Sequence, residues 1–154
     1  MKKVFLIFFI LLFSSGTFAK NESAVELDEL FEKLKKTSNP MSARKIEGKI
    51  WKLWTTHPSE ESLTDLLAKG SEYMAQNQLT SAHNVFSKAI ELDPNWAEAW
   101  NKRATVLYLM GNLELSQSDI DMVLKLEKRH FGALSGQGLC LLYTSPSPRD
   151  TEVS

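Results

Sequence analysis

A single cysteine, Cys140, is present, so no intramolecular disulfide can form and stability has to come from packing. Glycine is scarce too, with 7 in 154 residues, which suits a chain built of helices. Neither charge sign dominates: 18 Lys and Arg stand against 19 Asp and Glu, a net of −1 at pH 7. That balance gives no electrostatic reason to expect nucleic acid or an anionic lipid surface as a partner. Patterns that carry catalysis are missing as well. His57 falls in a linker, His83 on a helix and His130 at a boundary, and none has a second His or Cys three or four residues away, which argues against a metal site. Gly136-Gln137-Gly138 follows a helix start instead of a strand, which argues against a phosphate loop. Asp119 and Asp121 are two apart on a helix and point in different directions, which defeats a carboxylate pair. The expectation is a non-enzymatic protein with no cofactor and no metal.

What is present is a repeat. Leu66, Gly70, Tyr73, Ala82, Phe86, Ala89 and Pro94 are answered 34 positions later by Trp100, Ala104, Leu107, Ser116, Ile120, Val123 and Lys128, and a second step gives Leu134, Gly138 and Leu141. Two helix backbones pack closely only where a side chain is small, and bulky residues fill the space beside each close approach. This alternation at this interval resembles the tetratricopeptide repeat (TPR). The resemblance implies an all-α fold, a TPR-type α-solenoid of antiparallel helix pairs. Repeat 1 would span 62–95, repeat 2 would span 96–129, and a truncated third would start over 130–139. Ser62 is the expected N-cap of the first repeat, with Ser62-Leu63-Thr64-Asp65 spaced as a capping box. Asn77-Gln78 and Gly111-Asn112 are the expected turns inside the repeats. Lys128 stands where the first repeat has Pro94, so its turn is less sharply specified.

Ahead of the repeats, Val25, Leu27, Leu30, Phe31 and Leu34 recur at helical spacing, with acidic residues early and lysines late. Asn39-Pro40 reads as the cap and first position of a second helix, whose apolar side carries Ala43, Ile46, Ile50 and Trp54, widened by Trp51 and Leu53. Residues 20–58 are therefore expected to form a helical hairpin. It would cap the first repeat with Trp51 and Trp54 buried against it; the sharper alternative exposes both tryptophans as a ligand surface.

The ends read differently. Lys2 and Lys3, the apolar run Val4 to Phe13 and the small residues of Thr17-Phe18-Ala19 form a signal peptide over 1–19, with cleavage expected after Ala19. Ten apolar residues reach only about 15 Å as helix, roughly half a bilayer core, so no stable membrane span is expected after cleavage. Retention as an uncleaved anchor is the alternative. The run Cys140 to Asp150 is similar, residue for residue, to a translated transposase adapter of the kind used in sequencing libraries. Residues 140–154 are accordingly expected to be a disordered library scar, and Cys140 to carry no redox or catalytic role.

Ala97 to Ala104, Tyr108 to Gly111, His130 to Gly136 and the Ile50-Trp51…Trp54 helix resemble a group of exported TPR proteins from alphaproteobacteria. The resemblance runs over roughly 25–139 and implies a small envelope protein, exported to the periplasm of a Gram-negative bacterium. In TPR proteins the first helices of successive repeats line a concave surface that holds peptides. Residues off the core on those helices are Ser71 and Met74, then Glu98, Asn101, Lys102, Thr105 and Tyr108, then Ser135. Asn101 with Lys102 could grip a peptide backbone or a carboxylate. The first repeat offers Thr64, Leu67 and Ala68 where chaperone-tail binders need basic residues, which disfavours that ligand. Two readings stand: an envelope module binding a protein or peptide partner on this surface, or a structural, self-assembling helper subunit of an envelope complex.

Overall fold

The computed structural model describes residues 22–144. The expected signal peptide and its cleavage point at Ala19 lie outside them. Seven helices and no strand occur among the described residues: α1 (22–36), then α2 (Pro40–Thr55), α3 (Glu61–Ala75), α4 (Leu79–Leu92), α5 (Ala97–Leu109), α6 (Leu113–Leu126) and α7 (Phe131–Thr144). The chain divides into two compact units between Thr64 and Asp65.

In the first unit, Pro40 occupies the first turn of α2, and the Asn39 side chain accepts from the Met41 and Ser42 N–H groups at 2.9 and 3.1 Å. Two otherwise unsatisfied donors are thereby met. Leu30 and Phe31 of α1 are buried, as are Ile50 and Trp54 of α2. Phe31 lies 6.1 Å from the Trp54 ring, and Trp51 meets Trp54 edge-on at 5.4 Å. Such aromatic pairs contribute about 0.5–1.5 kcal/mol each beyond their area burial. The expectation that both tryptophans are buried is corrected for Trp51, which is half-buried.

The start of α3 departs from the expected capping box. The helix begins at Glu61, with Leu63 and Thr64 N–H groups on the Glu60 carbonyl, so Ser62 lies inside it. His57 holds the approach: its Nδ1 accepts from Glu60 N–H at 3.0 Å, and its own N–H donates to the Thr64 hydroxyl at 2.8 Å. The ring nitrogen thus fixes the backbone that leads into α3.

In the second unit each helix packs on the next from α4 to α7, and α5 also touches α7. Gly70 of α3 lies against Phe86 of α4: a Cβ there would fall 2.8 Å from Phe86 Cδ1 and Cζ. In the following repeat the same two positions are Ala104 and Ile120, both 2% exposed. A smaller partner leaves room for the methyl group, so each pair fills its space. Ala82, Phe86, Ala89, Leu107 and Val123 are also buried, whereas Leu66, Tyr73 and Trp100 are half-buried and Pro94 is exposed. Pro94, though one of the repeating residues, lies in the turn between α4 and α5 and not in the core.

The turns repeat at the same interval as the core. Asn77 and Gly111, 34 apart, both take the left-handed conformation, at φ 57° and 79°. After each, the next N–H reaches back into the helix, Gln78 to the Tyr73 carbonyl at 2.8 Å and Asn112 to the Leu107 carbonyl at 2.9 Å. These are Schellman closures. The turn at Lys128 matches the one at Pro94 without a proline. Asp93 (φ −137°, ψ 95°) and Glu127 (φ −142°, ψ 98°) share one backbone geometry. Each carboxylate accepts the N–H two residues on, from Asn95 at 2.8 Å and from Arg129 at 2.9 Å.

The third repeat shows the effect of its truncation, and one expectation for it is corrected. Leu134 and Gly138, in phase with Trp100 and Ala104, are exposed, and nothing lies within 4 Å of a Cβ at Gly138. At this phase the earlier repeats pack on their own second helix, and the described residues include no such helix after α7. Residues 140–144 are helical instead of disordered, and Cys140 is buried at 3.7 Å from the Ser116 hydroxyl within the cluster of Ala104, Ile120, Val123 and Ala133. Residues 145–154 lie outside the described residues.

Candidate functional site

The polar centre of the second unit is Glu98. Its side chain and that of His130 are both 0% exposed, and His130 Nε2 meets Glu98 Oε2 at 2.9 Å. Ala133 N–H donates to His130 Nδ1 at 3.2 Å, so the ring proton sits on Nε2 and is given to the carboxylate. His130 is therefore both the side-chain cap of α7 and its tie to α5. Asn101 Nδ2 donates to the same Glu98 oxygen at 3.1 Å. The other oxygen, Oε1, accepts no hydrogen bond and faces the Lys102 ammonium at 3.4 Å. Expecting Glu98 on the open binding face is corrected: it is 1% exposed.

Behind this cluster α5 is anchored by a second ion pair. Arg103 donates through Nε and Nη2 to the two Asp119 oxygens at 2.7 and 2.8 Å, and through Nη1 to the Ser87 hydroxyl at 3.2 Å. Its guanidinium also stacks over Trp100, 4.9 Å from the ring centre. A forked, bidentate contact of this kind fixes geometry as well as charge. In the turn before α7, burial alone would raise the Glu127 carboxyl. The Arg129 side-chain bond, its backbone N–H and its charge, with the nearby His130 ring, hold it below its ordinary value of 4.5.

Between α5 and α7 opens a cleft of about 180 Å³. One wall is Asn101, Ala104, Thr105 and Tyr108; the other is Gly132, Ser135, Gly136 and Leu139; Ser116 and Ile120 of α6 lie at the base. Gly136 keeps α7 close to α6: a Cβ there would stand 3.2 Å from Ile120 Cδ1, which would have to give way by a few tenths of an ångström. Four of the residues expected to contact a ligand meet here: Asn101, Thr105, Tyr108 and Ser135. Lys102 is held by Glu98, while Ser71 and Met74 sit on α3 and do not line the cleft. Ser71 donates its hydroxyl proton to the Leu67 carbonyl at 2.9 Å.

Gly132, Gly136 and the Glu98–His130 pair were not marked by side-chain type. A signal existed in the phase: His130 stands 34 after Trp96, which is itself buried at the start of α5. A polar ring at a buried position needs a partner, and Glu98 supplies it. Among the described residues, no cluster of three or more His, Cys, Asp or Glu could hold a metal ion. No helix among them is long and apolar enough to cross a membrane.

Comparison with known proteins agrees with this geometry. The family described as TPR repeat matches residues 70–111, from the close-approach glycine of α3 to the left-handed glycine after α5. A TPR repeat-containing protein of Rhizobium etli is 37% identical over 123 residues, 80% of this chain. The chain spans 60% of that relative's length. A 34-residue period in core and turns, carried by packed helices, together with these matches places the chain in the tetratricopeptide repeat family.

Proposed function

We propose that the protein is a non-enzymatic interaction module of the cell envelope, exported to the periplasm, that holds a peptide or protein partner in the cleft between α5 and α7. One observation carries this reading. Thr105, Tyr108 and Ser135 converge on one opening with Asn101 at its inner wall, while the charged groups beside it are engaged with one another. TPR repeats serve as protein-binding scaffolds, which supports the partner class. Export rests on the amino-terminal sequence alone.

The helper-subunit reading draws support from α7, where Leu134, Leu141 and Leu142 are 48%, 56% and 76% exposed. Partner capture by the whole protein from envelope extracts separates the two. Thr105→Ala and Tyr108→Ala should reduce recovery of a cleft-bound partner, since both residues border the opening. Unchanged recovery with both variants contradicts the cleft reading. Variants at Asn101 are less informative, because that side chain also supports Glu98.

A further inference from the structure

We infer that the α5–α7 cleft is selective for an uncharged apolar side chain presented with its flanking peptide N–H groups, and that it disfavours a carboxylate. This deepens the proposed function and rests on it. The residues lining it, from Asn101 on α5 to Leu139 on α7, carry no formal charge. Both basic residues of α5 are already in ion pairs, Lys102 with Glu98 at 3.4 Å and Arg103 with Asp119 at 2.7 Å. Freeing Lys102 for a ligand would strip Glu98, a fully buried carboxylate, of its only cationic neighbour on α5.

The hydroxyls set the polarity. Thr105 donates to the Asn101 carbonyl at 3.0 Å, Ser135 to the Phe131 carbonyl at 2.8 Å and Ser116 to the Ala104 carbonyl at 2.9 Å. With those protons committed, the Thr105 and Ser135 oxygens keep lone pairs for a ligand, while the buried Ser116 oxygen also takes the Cys140 thiol at 3.7 Å. A peptide N–H finds an acceptor there. A carboxylate finds the cations of α5 already paired, with Glu98 and Asp119, and leaves water with little compensation. The space also fits: an apolar cavity of about 150 Å³ takes a benzene-sized group, and this cleft is about 180 Å³ with Ala104, Ile120 and Leu139 among its walls.

The test uses three small probes on the whole chain: N-acetyl-leucinamide, N-acetyl-leucine with its free carboxylate, and N-acetyl-lysinamide. Binding is read from the NMR shifts of the Gly132 and Gly136 amides. N-acetyl-leucinamide should give saturable shifts in the millimolar range. The carboxylate and the lysine probes should each bind about tenfold or more weakly, as expected when a polar group is left unpaired. Thr105→Phe, at an exposed position that fills the mouth without entering the core, should abolish the leucinamide shifts. Equal or tighter binding of the carboxylate overturns the inference, as does the absence of saturable shifts with leucinamide. If partner capture still depends on Tyr108 in that case, selectivity fails while the cleft reading stands; if neither is seen, both fail.

Discussion

His130 and Glu98, 32 residues apart in sequence, join at 2.9 Å with neither side chain exposed to solvent. The contact fastens the start of α7 to α5, and those two helices form the walls of the cleft. His130→Ala removes the partner of a buried carboxylate as well as the cap of a helix. The cost should be about 3–5 kcal/mol, measured by urea denaturation. Replacing both residues, Glu98→Met with His130→Leu, should cost clearly less than the two single changes summed, because no stranded charge remains.

Gly70 and Phe86 form a matched pair with an internal control in Ala104 and Ile120. Gly70→Ala should destabilise by about 1–3 kcal/mol through overpacking, despite alanine's better helix propensity. Adding Phe86→Ile should recover part of that loss, with a coupling of about 0.5 kcal/mol or more in a double-mutant cycle. Strict additivity would show that the two positions do not share space.

Lys128 can be tested as a proline site. Glu127 already has the extended backbone that a residue before proline requires, and it matches Asp93 before Pro94 within a few degrees. Lys128→Pro should leave the fold unchanged and stabilise it by about 0.4–1 kcal/mol by restricting the unfolded chain. Thermal unfolding monitored by circular dichroism is the measurement.

Glu127 sets an acid dependence. Its folded carboxyl titrates below the ordinary 4.5, so its contribution is present above that pH and is lost as pH falls through the lower folded value. Arg129→Ala should therefore lower stability near neutral pH. The gap from the parent should close as the pH is taken below about 4.5. Denaturation midpoints of both proteins across pH 3–7 test the sign.

Much of this architecture is legible in the sequence because a repeat writes each packing requirement more than once. The small-against-bulky pairs, the left-handed positions Asn77 and Gly111 and the Asn39-Pro40 helix start all follow from local stereochemistry. Three features do not. Ahead of α3, His57 Nδ1 accepts the Glu60 N–H and fixes the approach, and a ring nitrogen in a linker gives no local sign of that role. At Cys140 the Ser- and Pro-rich run that follows reads as a disordered tail, yet the residue packs into the cluster of Ala104, Ile120, Val123 and Ala133. At Glu98 a charged residue counts as solvent-facing until a partner 32 residues away is known to meet it. Of the expected contact residues, Thr105 and Ser135 were legible from helical phase because they face away from the core, and Tyr108 because it falls at its edge. Gly132 and Gly136 were not, because a residue without a side chain carries no polarity to read.

Site-specific photo-cross-linking tests the central claim most directly. A photoreactive benzoylphenylalanine replaces Tyr108 in the cleft in one protein and Glu91, on the exposed surface of α4, in another, both expressed as the whole chain in living cells. The account predicts a discrete adduct at position 108, diminished by Thr105→Phe, and none at position 91. An adduct at 91 but not at 108, or one at 108 indifferent to Thr105→Phe, would contradict it.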